Sequence, residues 1–539
     1  MPKILAELLY SLPQPYHLTG DPNTLITAPV VESDVEVQSG GVFVARKGQI
    51  VDGHEFIPRA IERGAAAIVG ERPIDNLPVP YVQVENPQEA TGYLAAAYHD
   101  FPSRKLVVIG VTGTDGKTTT STLIHSILQV ATGGKAGMIS TIAAHVGDKT
   151  VETGLHVTTP GAPQVQSLLA QMVANGLTHA VIEMTSIGLA QGRVNGVDID
   201  VAVLTNVTHE HLNDHGSFEA YRAAKGRMFE MLGTSDRKDG QIKIAVINGD
   251  DPNADYFVNI VNNAPPDIAF PTVYVLYGMS EAIPHRPINV RYEPSGTYLT
   301  MVNWAIDTIP GDDYWKYREY QTEFLSPLIG QFNVMNMLAA IKVAQQLFGD
   351  FAVTYIREGL EAVKSIPGRL ERIDEGQDFL AIVDFAHTPN ALKNVLETCR
   401  KMVGDGGRLI VTFGSAGLRD REKRRMMAET AIQLADFSIF TAEDPRTESL
   451  DEILQTMADA AVAVGGVEGK DFIRVPDRGE AIYQACQMAK KGDVVIACGK
   501  GHEQSMAFGN IEYPWDDREA MRAALRGTPL KTLPTAKKV

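Results

Sequence analysis

The stretch LVVIGVTGTDGKTTTSTLIHSILQVAT, residues 106–132, decides the fold class of this chain. An apolar run is followed by a Gly-rich turn and then by a helical pattern, which is the order of a βα unit in a parallel sheet. Glycines in such a turn let backbone N–H groups approach phosphate oxygens, Lys117 would neutralise the outer phosphates, and Thr118 can hold Mg²⁺ at the helix N-terminus. Val111 breaks the strict GxxxxGK[ST] spacing, so it is the strand-loop-helix context that favours a phosphate loop over a bare Gly-rich turn. The predicted phosphate-binding residues are Gly113, Thr114, Asp115, Gly116, Lys117, Thr118 and Thr119.

Seven further apolar runs along the chain end in a polar or Gly-rich cluster. Runs of this length, rich in Val, Ile and Leu, are typical of strands buried on both faces of a parallel sheet. Open α/β sheets bind ligands at the carboxyl ends of their strands, which is where these clusters lie. The pattern therefore predicts an α/β fold with its binding residues at those strand ends. The runs are HAVIEMTS (179–186), DVAVLTNVTHEH (200–211), KIAVINGDD (243–251), FLAIVDFAHT (379–388), RLIVTFGSAG (408–417), FSIFTAEDPR (437–446) and DVVIACGKGHE (493–503).

The composition limits the class of protein. With 539 residues, 44% of them hydrophobic and 21% charged, the chain is neither disordered nor fibrous and has room for several domains. The 49 Lys and Arg against 66 Asp and Glu give a net charge of −17, which disfavours nucleic acid as a partner. The three cysteines are not spaced for a disulfide framework or a zinc site, and neither a membrane-spanning run nor a signal peptide is expected. These features indicate a cytoplasmic protein without membrane insertion.

Two Pro-containing breaks predict domain boundaries. The segment FPSRK at 101–105 lies between a helical pattern and the strand of the phosphate loop, and IPGRLE at 366–371 precedes another strand. Between them, the alternation of Tyr, Thr and charged residues from Tyr274 to Phe324 predicts an antiparallel excursion or insertion. The three predicted domains are 1–102, 103–364 and 365–539.

The middle of the chain carries motifs in a fixed order: TGTDGKTTT, HVTTP, a strand ending in Glu183, AQGRV, HEHLNDHG, and a Lys on the following helix. This series resembles the Mur ligase family, ATP-dependent enzymes that form amide bonds in peptidoglycan precursor synthesis. In the C-terminal part, PGRLE, DFAHTPN, LRDREKR, EDPR and GKGHE narrow the resemblance to the MurE type, which adds the third, usually diamino, residue to UDP-N-acetylmuramoyl-L-alanyl-D-glutamate. The resemblance covers essentially the whole chain.

The resemblance implies an architecture, cofactors and partners. The architecture is that of a three-domain Mur ligase: a UDP-binding N-terminal domain, a central ATP-binding domain whose parallel sheet contains the phosphate loop, and a Rossmann-like C-terminal domain that binds the amino acid. The implied cofactors are ATP and Mg²⁺. The implied partners are a UDP-muramoyl dipeptide and a free diamino acid, and the expected assembly is a monomer.

Catalysis is implied to depend on polar residues of the central domain. Mg²⁺ prefers carboxylate oxygens, whereas a lone His after a strand is ordinarily a loop residue. A Lys on a helix, such as Lys225 in YRAAKGRMF, is ordinarily a solvated surface charge. Its role comes from the resemblance alone, in which the matching Lys is carbamylated and helps to hold a second Mg²⁺. The implied catalytic residues are Lys117, Glu183, His211 and Lys225, and the implied metal ligands are Thr118, Glu183, His211 and carbamylated Lys225.

Further polar residues match the family's contacts to the muramoyl dipeptide and to the nucleotide. The chain departs from the family pattern at Asp34, where Arg is usual, and at Ile187, where His is usual. Asn248 and the segment 330–336 match adenine-side elements, for which a strand-end turn and a helix N-terminus are equal alternatives. The implied substrate-binding residues are Ser33, Thr158, Thr159, Ser186, Gln191 and Arg193, and the nucleotide-binding residues beyond the phosphate loop are Asn336, Arg369, Asp384 and His387.

Specificity for the incoming amino acid is implied to lie in the C-terminal domain. Arg446 could bind a second carboxylate in a bidentate manner. The family's diaminopimelate signature DNPR reads EDPR here, and Asp444 could hold an ammonium group, so lysine and ornithine stand as alternatives to meso-diaminopimelate. The presence of Arg419, Arg446 and Glu503 favours meso-diaminopimelate. The implied amino-acid-binding residues are Arg419, Asp444, Arg446, Gly499 and Glu503.

Two rival hypotheses are open. One is a related ligase acting on another acid, of the folylpolyglutamate or cyanophycin type, against which the uridine-type N-terminal segment and EDPR argue. The other is a non-catalytic, nucleotide-binding relative that regulates or scaffolds. The second is disfavoured because Lys117, Glu183, His211 and Lys225 are all present, and unused catalytic groups have no structural need to stay together.

Overall fold

The computed structural model describes residues 2–48, 51–151, 158–208, 215–238, 242–264, 272–283, 286–293, 296–308, 315–349 and 352–536. The chain divides into two compact units, each built from several segments. The first unit comprises 1–207, 222–286 and 338–359, and the second comprises 208–221, 287–337 and 360–539.

The first unit contains an extended sheet built around the strand of the phosphate loop. That strand, Val107–Thr112, pairs in parallel with His179–Glu183 on one side and with Val201–Leu204 on the other. All three are almost wholly buried, as their apolar runs predict. In the described residues the sheet runs in the order Thr150–Val151, Ala144–His145, Ala136–Ile139, His179–Glu183, Val107–Thr112, Val201–Leu204, Lys243–Asn248 and Thr272–Tyr277, the first two strands being antiparallel to their neighbours.

A smaller sheet lies at the N-terminal end of the first unit. In the described residues its strand order is Tyr16–Thr19, Tyr81–Val84, Ala67–Gly70, Val42–Val44 and Val30–Val31, with only the first strand antiparallel. A short pair, Lys3–Ile4 with Leu25–Ile26, lies outside it.

The helix that follows the phosphate loop, Lys117–Thr132, has glycines at both ends. Gly116 is its N-cap residue, and Gly133 ends it in the left-handed conformation, at a φ of +62°. Further helices and 3₁₀ turns lie wholly or partly in the first unit. They are Leu5–Leu9, Asp34–Glu36, Gly53–Phe56, Ile57–Glu62, Pro87–Tyr98, Pro102–Lys105, Ala162–Ala174, Ser186–Ala190, Phe218–Thr234, Ala254–Asn262, Gln331–Phe348 and Ala352–Ala362.

The predicted antiparallel excursion is present but begins later than expected. Tyr274 belongs to Thr272–Tyr277, which pairs in parallel with Lys243–Asn248, because this alternating segment adds to the edge of the main sheet instead of leaving it. The antiparallel sheet consists of Pro287–Glu293, Gly296–Thr308 and Trp315–Ser326 and falls within the second unit.

A second parallel sheet forms the C-terminal part. Neighbouring residues of one strand, Ile410 and Val411, belong to different apolar clusters, which shows that both faces of the sheet are covered. In the described residues the strand order is Glu371–Ile373, Leu380–Asp384, Val494–Cys498, Leu409–Phe413, Phe437–Phe440 and Phe472–Arg474, the first strand being antiparallel. A separate hairpin pairs Ser505–Phe508 with Ile511–Pro514. The helices of the C-terminal part are Pro389–Arg400, Arg421–Leu434, Leu450–Ala463, Arg478–Met488 and Asp517–Leu525.

The two parallel sheets with helices agree with the predicted α/β class. Within the described part of the chain, no helix combines the length and the apolar character needed to cross a membrane.

Candidate active site

The phosphate loop leaves the carboxyl end of the central strand and turns directly into a helix. Gly113 has a φ of +152° and Gly116 a φ of +82°. A Cβ atom on Gly113 would lie 1.8 Å from Oγ1 of Thr205, so only glycine fits between the loop and the neighbouring strand end. The loop therefore has the close backbone approach and the helix N-terminus that suit a bound phosphate.

Residues after the next strand, which the sequence motifs did not single out, hold this loop in place. Thr205 Oγ1 donates to the carbonyl of Asp115 at 2.7 Å. Asn206 accepts from the backbone N–H of Asp115 at 2.9 Å through Oδ1, and its own carbonyl accepts from the N–H of Thr114 at 2.8 Å. Asn248 Nδ2 in turn donates to the carbonyl of Thr205 at 2.7 Å. The signal for them was their position at the carboxyl end of the buried run DVAVLTN.

Glu183 ends the strand next to the phosphate loop, and its carboxylate lies beside the start of the loop helix. Because the strands pair with Glu183 opposite Val111, the side chain of Glu183 reaches Thr118, whose Oγ1 donates to Oε1 at 3.0 Å. The backbone N–H of Thr141 donates to Oε2 at 3.1 Å. Both Thr118 and Glu183 are buried. A hydroxyl and a carboxylate side by side form a set of hard oxygen ligands that fits Mg²⁺.

Two lysines approach the loop from different helices. Lys117 donates to the carbonyls of Gly113 at 3.1 Å and Thr114 at 2.8 Å. Lys225 donates to the same carbonyl of Gly113 at 2.7 Å. The expectation that Lys225 is a solvated surface charge is wrong, because its helix packs on the sheet and leaves the side chain only 1% exposed.

The fourth implied catalytic residue, His211, lies outside the described residues. In the part of the chain that is described, no three or more His, Cys, Asp and Glu side chains lie close enough together to hold a metal ion between them. The oxygen ligands that the structure brings together are those of Thr118 and Glu183.

The implied dipeptide-binding residues form a connected hydrogen-bond network next to Glu183. Thr159 Oγ1 donates to the carbonyl of Glu183 and accepts from the N–H of Thr185, each at 3.0 Å. Arg193 donates through Nη1 to the carbonyl of Thr159 at 2.8 Å. Its Nε and Nη2 donate to Oε1 of Gln191 at 3.0 and 2.7 Å. Thr159, Gln191 and Arg193 are thus fixed relative to the carboxylate of Glu183.

The remaining dipeptide-binding candidates lie at the ends of short helices or in loops. Ser186 is buried at the start of Ser186–Ala190, Thr158 is half-buried beside Thr159, and Ser33 is the N-cap residue of the turn Asp34–Glu36.

The departure at Asp34 has a structural partner. Asp34 lies 3.1 Å from the guanidinium of Arg59, so the acid is balanced within the N-terminal part. Glu32, two residues before Asp34, forms an ion pair with Arg46 at 2.6 Å. Burial lowers the pKa of Arg193, an effect that Glu32 opposes and Arg46 increases, which places all three charges near one another in the first unit.

The implied nucleotide residues of the second unit surround the ring of Phe385. Arg369 lies over this ring at 4.5 Å from its centroid, and Nδ1–H of His387 donates to the carbonyl of Phe385 at 3.0 Å. Arg369 also donates to Nδ1 of His502 at 3.3 Å. Burial, together with the charge of Arg369, lowers the pKa of His502 to about 3, so this imidazole is neutral at physiological pH.

Asp384 joins the two turns of this region. Its carboxylate accepts from the N–H of Leu370 and of Ala386, each at 2.7 Å. Leu370 is held at a φ of +44°. Burial raises the pKa of Asp384 although Arg369 and the two N–H donors oppose this effect. Asn336, the remaining nucleotide-binding candidate, is also in the second unit and donates to Oδ1 of Asn333 at 2.9 Å.

The implied amino-acid-binding residues follow three neighbouring strands of the C-terminal sheet. Asp444 lies 3.0 Å from Nζ of Lys500, a residue that sequence reasoning quoted only as part of GKGHE. Arg446 donates through Nη1 to the carbonyl of Gly417 at 2.9 Å. Gly499, at a φ of +112°, lies against Glu443, whose Oε2 would be 2.3 Å from a Cβ atom there.

Glu448 supports the loop that carries Arg419. Its carboxylate accepts from both Nη1 and Nη2 of Arg424 at 2.7 Å and from the N–H of Leu418 at 2.9 Å. Arg424 in turn donates to the carbonyl of Ala416 at 3.2 Å. Arg419 itself is exposed. No motif pointed to Glu448, because its partners come from distant parts of the sequence.

Comparison with protein families gives three matches along the chain. Residues 35–99 match the Mur ligase family, catalytic domain; residues 111–344 match the Mur ligase middle domain; and residues 368–501 match the Mur ligase, glutamate ligase domain.

Curated relatives match over almost their whole length. A UDP-N-acetylmuramoyl-L-alanyl-D-glutamate–2,6-diaminopimelate ligase of Bacillus licheniformis is 37% identical over 97% of this chain and 99% of its own. A UDP-N-acetylmuramyl-tripeptide synthetase of Roseiflexus sp. is 39% identical over 97% of this chain and 98% of its own. A solved structure of a UDP-N-acetylmuramoyl-L-alanyl-D-glutamate–2,6-diaminopimelate ligase aligns with a TM-score of 0.61 and 29% identity, covering 92% of this chain and 94% of that one. These matches confirm the predicted resemblance and the three-domain fold class, and the chain belongs to the Mur ligase family.

Proposed function

We propose that this chain is an ATP- and Mg²⁺-dependent ligase that adds meso-diaminopimelate to UDP-N-acetylmuramoyl-L-alanyl-D-glutamate in peptidoglycan precursor synthesis. The observation that carries the proposal is the convergence of Lys117, Lys225, Thr118 and Glu183 on one phosphate loop. The names of the close relatives support the choice of substrates.

A carboxylate does not react with an amine until it is activated. In the proposed reaction the γ-phosphoryl group of ATP passes to the D-glutamyl carboxylate, which releases ADP and leaves an acyl phosphate. The amine nitrogen then bonds to the acyl carbon, the C–O bond to phosphate breaks, and the amine gives up a proton. Such a transfer depends on positioning and on neutralisation of negative charge more than on covalent help from the protein.

The residues of the loop are suited to this task. The backbone N–H groups at the start of the loop helix, from Gly116 to Thr118, and the ammonium of Lys117 would bind and orient the phosphates. Thr118 and Glu183 would hold Mg²⁺, with His211 and carbamylated Lys225 as further ligands, and the ion would supply positive charge next to the phosphates. Thr159, Gln191 and Arg193, fixed by their mutual hydrogen bonds, would bind the dipeptide together with Ser33, Thr158 and Ser186.

The remaining candidate binding residues belong to the second unit. Asn336, Arg369, Asp384 and His387 are proposed to bind the nucleotide, and Arg446 the second carboxylate of the amino acid. We place the protein in the cytoplasm as a monomer of three domains, 1–102, 103–364 and 365–539. Its three cysteines are buried and unpaired, as suits a reducing compartment.

The experiment is phosphate release by the purified protein with ATP, Mg²⁺ and the UDP-muramoyl dipeptide, with meso-diaminopimelate, L-lysine and L-ornithine in separate reactions. Phosphate release that depends on meso-diaminopimelate supports the proposal. Release that depends only on lysine or ornithine would mean that this amino acid is the acceptor instead. ATP binding without release with any of the three would favour a non-catalytic relative. The variant Lys117→Met is expected to lose turnover, whereas Lys149→Met, which changes an exposed lysine on a turn, is the matched control.

A further inference from the structure

Lys500 lies between two carboxylates in the loop that follows Val494–Cys498. Its Nζ is 3.0 and 3.1 Å from the two carboxylate oxygens of Asp444 and 2.5 Å from Oε2 of Glu503. The side chain has no exposed surface. Burial on its own lowers the pKa of Lys500, but the two carboxylates more than offset this and hold the pKa above its ordinary value of 10.5. Lys500 is therefore a charged ammonium group at the centre of the candidate amino-acid site.

Asp444 is engaged within the fold. Besides Lys500, the backbone N–H of Ala507 donates to its Oδ1 at 2.9 Å. Asp444 is buried and has a φ of +39°, so the loop holds it in one position. An incoming ammonium group would have to compete with Lys500 for the same oxygens and would be repelled by its charge. The acid at this position thus does not make the site selective for a terminal ammonium group.

Arg446 is a second cation near this site, and neither Asp444 nor Glu503 forms an ion pair with it in the described structure. It is half-buried, and its Nη1 donates to the carbonyl of Gly417. Among the described residues no carboxylate forms an ion pair with it, because Asp444 and Glu503 are both held by Lys500. A guanidinium with unused N–H groups at a partly open position suits a carboxylate of the bound amino acid.

We propose, on the basis of the proposed function, that Lys500 is a positioning residue that sets acceptor specificity. Its ammonium group forms ion pairs with both Asp444 and Glu503 and offsets one of their two negative charges. The guanidinium of Arg446 is therefore left for the second carboxylate of the incoming amino acid. Without Lys500, Asp444 becomes an unpaired carboxylate in the same site, which attracts a terminal ammonium group instead.

The test measures kcat/KM for meso-diaminopimelate and for L-lysine in the natural chain, in Lys500→Met, in Asp444→Asn and in the double variant. In Lys500→Met, we expect the ratio of lysine to diaminopimelate to rise at least about tenfold, while KM for ATP stays unchanged. The double variant should return part of the way towards the natural ratio, because the carboxylate of Asp444 is gone while Glu503 still lacks Lys500. Lys491→Met, at an exposed position before the same strand, is the control.

Thermal unfolding shows whether each variant is folded. If Lys500→Met does not fold, Asp444→Asn alone tests the role of Lys500. This variant removes one carboxylate from Lys500 and should lower the lysine-to-diaminopimelate ratio below that of the natural chain. A ratio within about twofold of the natural one in a folded single variant overturns the role of Lys500. That result leaves the proposed function intact if the natural chain still releases phosphate with diaminopimelate. A natural chain that uses only lysine overturns both the role of Lys500 and the proposed acceptor. Dissociation constants for the two amino acids, measured by calorimetry, report the preference in binding without turnover.

Discussion

Lys117 and Lys225 donate hydrogen bonds to the same atom, the backbone carbonyl oxygen of Gly113, at 3.1 and 2.7 Å. Two ammonium groups within reach of one oxygen repel each other, and an anion beside them relieves the repulsion. A phosphate on the loop provides such an anion, and conversion of Lys225 to a carbamate removes the repulsion altogether. The pair therefore connects the proposed phosphate site with the proposed modification.

Replacing Lys225 by Ala is expected to lower kcat by about 100-fold or more, because the variant loses a charged group beside the transferred phosphate. The measurement is steady-state phosphate release, with circular dichroism to confirm folding. If Lys225 is carbamylated, the natural chain should lose activity when CO₂ is removed and regain it with bicarbonate, whereas Lys225→Ala should not respond. A natural chain indifferent to bicarbonate would argue against the carbamate.

The bond between Thr118 Oγ1 and Glu183 predicts a dependence on Mg²⁺. Thr118→Val removes the hydroxyl while keeping the shape, so we expect a higher concentration of Mg²⁺ for half-maximal activity and a kcat lower by about tenfold or more. Thr118→Ser keeps the hydroxyl and should stay close to the natural enzyme. Equal Mg²⁺ requirements for the Val and Ser variants would remove Thr118 from the metal site.

Gly113→Ala is expected to abolish ATP binding. The added Cβ would meet Thr205 Oγ1 at 1.8 Å, and a φ of +152° is one that alanine rarely adopts. Gly176→Ala separates the two effects, because Gly176 has a φ of +75° but open space around it. That control should reduce the free energy of unfolding by about 1 kcal/mol and leave ATP affinity unchanged. Calorimetric titration with ATP and chemical denaturation give the two readings.

The pair Arg424 and Glu448 predicts a pH dependence of stability. Hydrogen bonds from Arg424 lower the pKa of Glu448 from its ordinary value of 4.5 to about 2. A depressed pKa in the folded state means that this stabilisation is present above pH 4.5 and is lost as the pH falls towards 2. Glu448→Gln should be less stable than the natural chain at pH 7, with the difference shrinking as the pH falls through this window. Urea unfolding at a series of pH values measures it, and a constant difference would contradict the prediction.

Glu448→Gln should also raise KM for the amino acid, because the carboxylate holds the backbone of Leu418 next to Arg419. KM for ATP serves as the internal control, since the hydrogen bonds that Glu448 makes in the described structure go to Leu418 and Arg424 and not to a proposed nucleotide-binding residue. An unchanged KM for the amino acid would show that this loop does not contribute to the acceptor site.

Local patterns predicted the strand, the Gly-rich turn and the helix of residues 106–132 correctly, because all three are contained in one short stretch of sequence. The burial of Lys225 could not be predicted in this way. Its environment depends on Gly113, which is 112 residues away. The ion pair of Asp444 could not be predicted either, since its partner Lys500 is 56 residues away. In both cases the type of side chain was visible, but the neighbour that determines its charge balance comes from tertiary packing.

The carboxylate of Asp384 has an evolutionary consequence. It accepts hydrogen bonds from the N–H groups of both Leu370 and Ala386. The PGRLE and DFAHT turns are therefore fixed to each other although they are separate in sequence. A substitution of Arg369 or His387 alone would remove a proposed nucleotide contact but would leave these two backbone bonds in place. The backbones of the two turns, by contrast, must be inherited together, because a change in either one leaves a buried carboxylate without its donor.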